Sequence, residues 1–305
     1  MTATLRVRGS VRQISGTLVM GVVNASPESF SDAGQYATLD DRIALADGLV
    51  AAGADVIDIG GQSAITNQPE VQAALEIERV VPIVEWVHRA HPDVLISVDT
   101  YKPPVVDAVL AAGADIINDV SGLLHPEVAG QAGAAGAALV IMHNRARPKV
   151  RLQDPDLYDD VLADVVSFLA TRMERAVQAG MPREGIVLDP GPDFTKTPQQ
   201  TLAVLRGLDA LRALGRPLLL ALSRKDFLGA ILNRPPRGRD AGSLAALALL
   251  GAAGGNIARV HDVAASVDVV RTVEHLMGRQ ELSGTYLLPE ELRHERGAAG
   301  SPAAT

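Results

Sequence analysis

Eight short apolar runs, each closing on polar residues or glycine, constrain this chain more than any other feature. They are LVMGVVN ending at Asn24, VIDIGG with Asp58, LISVDT with Asp99, DIINDV with Asn118 and Asp119, ALVIMH ending at His143, IVLDPG with Asp189, PLLLALSRK ending at Lys225, and IARVHD with His261. AAGADVIDIGG (51–61) and AAGADIINDVSG (111–122) are near copies, and AGAALVIMH (135–143), QAGMPREGIVLDPG (178–191) and AAGGNIARVHD (252–262) repeat them more loosely. Each reads as a helix end, a glycine suited to the left-handed position after it, and a β-branched strand. Such units make parallel strands joined by right-handed crossovers. The runs are apolar on both faces, as when helices cover one side and a packed interior the other. Eight of them imply an α/β fold, a (β/α)8 barrel in one domain, with an open doubly wound sheet as the alternative.

The 305 residues suffice for one such barrel, which commonly takes about 250. With 47% hydrophobic but only 3% aromatic residues, the core must be built from Ala, Val, Leu and Ile. Residues 1–17 alternate weakly and suggest a short β-hairpin capping the barrel bottom. The barrel is expected over 18–280 and a C-terminal extension over 281–305, with disorder after about residue 295.

A net charge of −8 argues against a general nucleic-acid binder. With no cysteine there is no disulfide, thiolate metal site or Cys nucleophile. No signal-peptide core and no apolar run near the roughly 18 residues of a membrane span is present. The expectation is a cytoplasmic protein that engages neither membrane nor nucleic acid. The seven histidines show no metal-ligand spacing.

In barrels of this type the site lies where the strands end. The groups there include Asn24, Asp58, Asp99, Asn118, Asp119, Met142, His143, Asp189, Ser223, Arg224, Lys225, Arg259, His261 and Asp262. Asp99, Asn118 and Asp189 suit a flat heterocycle rich in N–H donors, since a carboxylate accepts two parallel bonds from a guanidine-like edge. Lys225, Arg259 and His261 form a cationic counterpart for phosphate. The plainer reading of any one Asp or Asn is a cap on the following helix, and of His143 a packed side chain.

Seven ordered motifs over residues 18–277 resemble dihydropteroate synthase: VVNASPESFSDAG (22–34), DIGGQS (58–63), SVDT (97–100), INDVSG (117–122), LDPG with FTK (188–196), SRKD (223–226) and RVHD (259–262). The resemblance implies a pterin-binding barrel, usually a homodimer, that joins a hydroxymethyl-pterin, delivered as its pyrophosphate ester, to the amine of p-aminobenzoate, with Mg2+ accompanying the pyrophosphate. Carried across, Asp99, Asn118, Asp189 and Lys225 would hold the pterin, with Met142 lining its pocket and Arg259 against its face. Asn24, Arg259 and His261 would hold the pyrophosphate, Asn24 being the residue nearest the metal. Asp99, Lys225, Arg259 and His261 would carry the chemistry.

The departures from that pattern cluster on the amine side. Where the family's second loop has Thr-Arg, this chain has Ala64 and Ile65. Where the family has Ser after the lysine, it has Asp226, expected to sit at a helix N-terminus and repel a carboxylate. PDFTK (192–196) replaces a Gly-Phe-Gly-Lys segment, keeping Phe194 and Lys196, and Glu28 replaces the first loop's Asp. Arg145, Arg147 and Lys149 are candidates to replace the lost charge. Four functions follow: dihydropteroate synthesis proper, transfer to a different amine, a non-catalytic pterin-binding paralogue, and a folate-dependent methyltransferase subunit, which shares the barrel.

Overall fold

In the computed structural model, which describes residues 2–26, 38–63, 69–282, 284 and 288–294, the apolar runs become strands of one closed parallel barrel. In chain order, after a separate β1 (Ala3–Val7) and β2 (Ser10–Ile14), these are β3 (Thr17–Asn24), β4 (Val56–Gly60), β5 (Leu95–Asp99), β6 (Ile116–Asp119), β7 (Ala138–Met142), β8 (Ile186–Asp189), β9 (Leu218–Leu220) and β10 (Asn256–Val260). Pairing of β10 with β3, Asn256 opposite Thr17 through Val260 opposite Gly21, closes the ring and removes the open-sheet alternative.

Helices fill the crossovers: α1 (Leu39–Ala51), α2 (Ala73–Ala90), α3 (Pro103–Ala112), α4 (Glu127–Ala134), α5 (Val161–Gln178), α6 (Pro198–Arg206), α7 (Leu208–Arg212), α8 (Asp226–Leu232), α9 (Asp240–Gly251) and α10 (Val263–Leu276). Their starts are locally encoded. Thr38 and Asp41 form a reciprocal capping box on α1, and Asp160 caps α5 through the amides of Leu162 and Ala163. The repeated glycines do what the repeat implies: Gly113 ends α3 at φ +108, and a Cβ there would lie 2.6 Å from the His88 ring.

Two apolar layers result. A large one packs strand faces such as Val98, Ile117 and Leu188 against the helices. A smaller one fills the barrel interior with Met20, Val56, Leu95, Ile116, Ala138, Val140, Val187, Leu219 and Ile257, and it includes Leu5, Val7 and Ile14 of the hairpin. The hairpin therefore plugs the bottom of the barrel. Its two-residue turn, Arg8–Gly9, has both φ values positive, the geometry that matches strand twist. The Arg8 guanidinium ties it to Asp115 at 2.7 and 2.8 Å, and buried Arg216 donates to Thr4 O at 2.6 Å.

One strand departs from the sequence expectation. The run PLLLALSRK reads as a strand reaching Lys225, yet β9 stops at Leu220. Beyond it the chain turns inward over the barrel mouth, with Arg224 left-handed at φ +59. Buried Arg239 stabilises this turn by donating to the carbonyls of Arg224 (2.9 Å) and Lys225 (3.1 Å). The tail beyond residue 294 lies outside the described residues.

Because the interior layer has no aromatic filler, its aliphatic residues carry the packing. Ile116→Ala is expected to cost about 2–5 kcal/mol, read as a lower denaturant midpoint with unchanged slope. A loss below about 1 kcal/mol would show that this layer collapses around the gap.

Candidate functional site

The C-terminal ends of the strands open into one pocket, and Asp99, Asn118, Met142, Asp189, Phe194, Lys225 and Arg259 all line it. At its base lies Asp58, fully buried on β4 and absent from the expected ligand-holding set. Asp58 Oδ1 accepts from Ser97 Oγ (2.6 Å), its Oδ2 from Arg259 Nε (2.7 Å), and both oxygens from Asn118 Nδ2 (3.4 and 3.3 Å). With Nδ2 so engaged, Asn118 Oδ1 is left buried without a partner, an acceptor the protein itself does not fill. The sequence places Asp58 among the strand-end groups and at the head of DIGGQS, but nothing in the spacing assigns it the role of organising its neighbours.

The pocket's electrostatics follow from burial and crowding. Asp99 lies 3.6 Å from Arg259 Nη2 and is only 19% exposed at its side chain. Loss of solvent, then the neighbouring Asp58 charge, push its carboxyl up to about 7, against the pull of Arg259. Asp189 accepts from Gly191 N at 2.7 Å, and burial pushes it up to about 6. Opposite stands Lys225, its Nζ 4.4 Å from the centre of the Phe194 ring. Burial lowers the Lys225 ammonium, with Asp193 and Asp189 resisting.

His261 sits beside this cluster, with Nδ1 2.9 Å from Ser223 Oγ. Burial, and then Arg259, Arg224 and Lys225, push it down to about 4. Of the expected trio of cations, burial therefore works against the charged forms of His261 and Lys225, while at Arg259 burial is outweighed by the surrounding carboxylates, which raise its guanidinium. Asn24 ends β3, opposite Gly60. Asp262 takes the plainer role, capping α10 through Ala265 N (3.1 Å), while Asp119 caps no helix and instead closes the turn after β6, accepting from Ser121 N and Oγ at 2.7 and 2.5 Å.

The amine side differs from expectation in a specific way. Asp226 does open α8, but its side chain is 59% exposed and turned to Arg239, 3.1 Å away. The carboxylate on the amides at the start of α8 belongs to Asp193, whose Oδ2 accepts from Asp226 N at 2.5 Å and Phe227 N at 3.4 Å. A preceding loop can reach those N–H groups, whereas a first-turn residue projects back along its own helix and here meets Arg239. Asp193 and Thr195 occupy the positions where the resembled segment carries glycine, and both keep left-handed backbone, at φ +64 and +51. For a β-branched Thr this costs on the order of 1–3 kcal/mol. Local bonds offset it: Tyr158 OH donates to Thr195 O (2.9 Å), and Thr201 Oγ1 donates to Asp193 Oδ1 (3.1 Å).

Of the basic residues able to replace lost charge, Arg145 is committed to Asp164, while Arg147 and Lys149 line the pocket rim. Lys149 Nζ also donates to Ser63 O at 2.5 Å, linking the loops after β7 and β4. Ala64 and Ile65, like Glu28, lie outside the described residues.

This geometry has relatives. A family model described as pterin binding enzyme matches residues 20–261. Dihydropteroate synthase of Streptococcus pyogenes is 40% identical over 262 residues, 85% of this chain and 95% of that protein. The chain belongs to the pterin-binding dihydropteroate synthase family. Members of the family are folate-biosynthesis transferases. The Yersinia pestis synthase in a sulfonamide drug complex superposes with a TM-score of 0.84 at 37% identity, covering 91% of this chain and 100% of that one. The Burkholderia cenocepacia synthase complexed with 7,8-dihydropteroate gives 0.81 at 36% identity, covering 92% and 98%.

The raised Asp99 carboxyl carries a cost in stability. It titrates near 3.9 in an unfolded chain and about 7 in the folded one, so the folded state holds the extra proton between those values. Its contribution is therefore full below pH 4 and is lost as pH rises to 7. Asp99→Asn is expected to melt above the wild type at pH 8 in calorimetry, with the difference vanishing near pH 4. An equal or lower melting point at pH 8 would mean that the Arg259 contact outweighs burial.

Proposed function

We propose that this protein binds the pyrophosphate ester of 6-hydroxymethyl-7,8-dihydropterin and transfers its pterin methylene to an aryl amine. The observation that carries this reading is the pairing, in one pocket, of an acceptor wall (Asp99, Asn118, Asp189) with a cationic wall (Lys225, Arg259). Asp189 suits the aminopyrimidine edge, which offers parallel N–H donors, and the unpartnered Asn118 Oδ1 a further ring N–H. Met142 supplies an apolar, polarisable wall.

In the transfer the methylene C–O bond breaks, pyrophosphate leaves with the bonding electrons, and the amine forms the new C–N bond and sheds a proton. Positive charge develops on the pterin methylene and favours the ionised form of Asp99, whose carboxyl burial has raised to about 7, so that its carboxylate stabilises the charge in a water-poor site. Arg259 stabilises the departing anion, and the anion's own charge raises His261 toward its protonated form, adding a second donor. The protein supplies no nucleophile, so orientation of the amine accounts for much of the remaining acceleration.

The residues fit Mg2+ in a limited way. Asn24 offers one hard amide oxygen, and among the described residues no group of three His, Cys, Asp or Glu could hold a metal. An ion there would share Asn24 with phosphate oxygens and water, and would supply charge to the leaving group. Family membership also supports a cytoplasmic homodimer.

A second reading concerns the acceptor. Asp193 already fills the amides at the start of α8, and Asp226 adds charge nearby, which favours an amine lacking the p-aminobenzoate carboxylate.

Incubation with the pterin pyrophosphate, Mg2+ and either p-aminobenzoate or an uncharged aniline, followed by mass spectrometry, tests both readings. Product from at least one amine is expected, and none from either would leave only a pterin-binding role. Asp189→Asn is expected to weaken pterin binding about tenfold to hundredfold in calorimetry. Asp193→Gly restores glycine at a left-handed position and empties the amides. It should lower the KM for p-aminobenzoate about tenfold with little effect on the uncharged aniline, and equal effects on both would remove the acceptor argument.

A further inference from the structure

Among the described residues Lys196 is the largest side chain that the fold buries completely, and the transfer chemistry above does not use it. Its Nζ donates to the carbonyls of Gly191 (3.0 Å) and Phe194 (3.1 Å) and to His143 Nδ1 (2.8 Å). His143, also fully buried, is pushed down to about 3, chiefly by burial and then by Lys196 itself, so it is a neutral imidazole. Nδ1 is then the acceptor, and Nε2–H donates to Asp164 Oδ1 at 2.9 Å. Asp164 in turn pairs with Arg145 near the surface.

Burial pushes the Lys196 amine down to about 7, and a buried amino group with no carboxylate in direct contact is an expensive way to fill space, since an aliphatic chain of similar size would need no partners. Its hydrogen bonds are spent on one turn. Gly191, Asp193 and Thr195 are all left-handed, and a Cβ on Gly191 would lie 2.2 Å from His143 O. Lys196 gathers two carbonyls of this strained stretch and docks them on His143, the residue after β7. From the turn project Phe194, against Lys225, and Asp193, on the amides of Asp226 and Phe227. Of the groups facing the pterin edge, Asn118 and Asp99 come from β6 and β5, away from this turn, whereas Asp189 meets it by accepting from Gly191 N at 2.7 Å.

We propose that Lys196 is a positioning residue for the acceptor side of the site: by holding the Gly191 and Phe194 carbonyls against His143, it fixes the turn that sets Phe194 on Lys225 and Asp193 on α8. It touches neither substrate. The inference rests on the proposed transfer only for its kinetic arm.

Two measurements test it. In Lys196→Met, the KM for the better amine is expected to rise about tenfold, well beyond any loss of pterin affinity read by calorimetry, which reaches the turn only through the Asp189 contact to Gly191 N. General damage to the barrel would move both in parallel. The second readout needs no turnover. The chain has four phenylalanines, so fluorophenylalanine labelling gives few 19F resonances, and Phe194→Leu assigns the one at 194. In the otherwise wild-type protein, Lys225→Met should shift that resonance, because the ammonium lies over the ring. In the Lys196→Met background the same change should have little effect. Should Lys196→Met not fold, Lys196→Gln keeps one carbonyl donor without a buried charge and should show the same pattern at reduced size. Equal Lys225 sensitivity in both backgrounds, or parallel loss of pterin and amine binding, overturns the proposal. Absence of transfer with undiminished 19F coupling loss would instead count against the transfer reading alone.

Discussion

The mouth of the barrel depends on one carboxylate withdrawn from solvent. Asp58 takes hydrogen bonds from Ser97, Asn118 and Arg259, so side chains of β5, β6 and β10 are oriented by a single group on β4. A buried charge is tolerated only when its acceptor sites are filled, and filling them here has consequences. Arg259 is held at the pocket, Asn118 is held by its Nδ2 with its oxygen left unpartnered, and Asp99 is kept beside a second negative charge. Each of these positions would be less defined without Asp58, although none of the reacting atoms need touch it.

The same arrangement leaves the unliganded site electrostatically unsatisfied. Asp99 and Asp189 sit well above the ordinary carboxylate range, and His261 well below the ordinary imidazole range. A core optimised for stability would not gather such groups, and perturbed groups of opposite kinds in one cleft mark a site built for a ligand. A pterin with N–H donors along one edge and a pyrophosphate at the other end supplies what each wall lacks. The amine side is different: its own carboxylate, Asp193, occupies the donors at the start of α8, so part of the cavity arrives already satisfied.

Much of this was legible because it is encoded by local pattern. The run ending at Asn24 is β3, and Asp99 and Asp189 end β5 and β8, since apolar runs punctuated by glycine leave few alternatives. Lys225 was placed in the mouth, but not the reason: β9 stops five residues earlier, and the inward turn depends on Arg239, a contact made from beyond α8. Asp226 was correctly located at a helix start and wrongly oriented, because its partner, Arg239, lies thirteen residues on. Asp193 caps a helix thirty-three residues away, and Asp58 meets Arg259 two hundred and one residues away. Hydrogen bonds of that span leave no trace in spacing. The recognisable clue at Asp193 was a residue with a side chain standing where the family has glycine, and its meaning needed the backbone angle.

The central claim is that the strand ends form a pterin pyrophosphate site, and a crystal structure with a hydroxymethylpterin pyrophosphate analogue tests it most directly. The account requires the aminopyrimidine edge on Asp189, a ring N–H on Asn118 Oδ1, and the pyrophosphate between Asn24, Arg259 and His261. A pterin seated outside this pocket, or one whose pyrophosphate points away from Arg259, would contradict it.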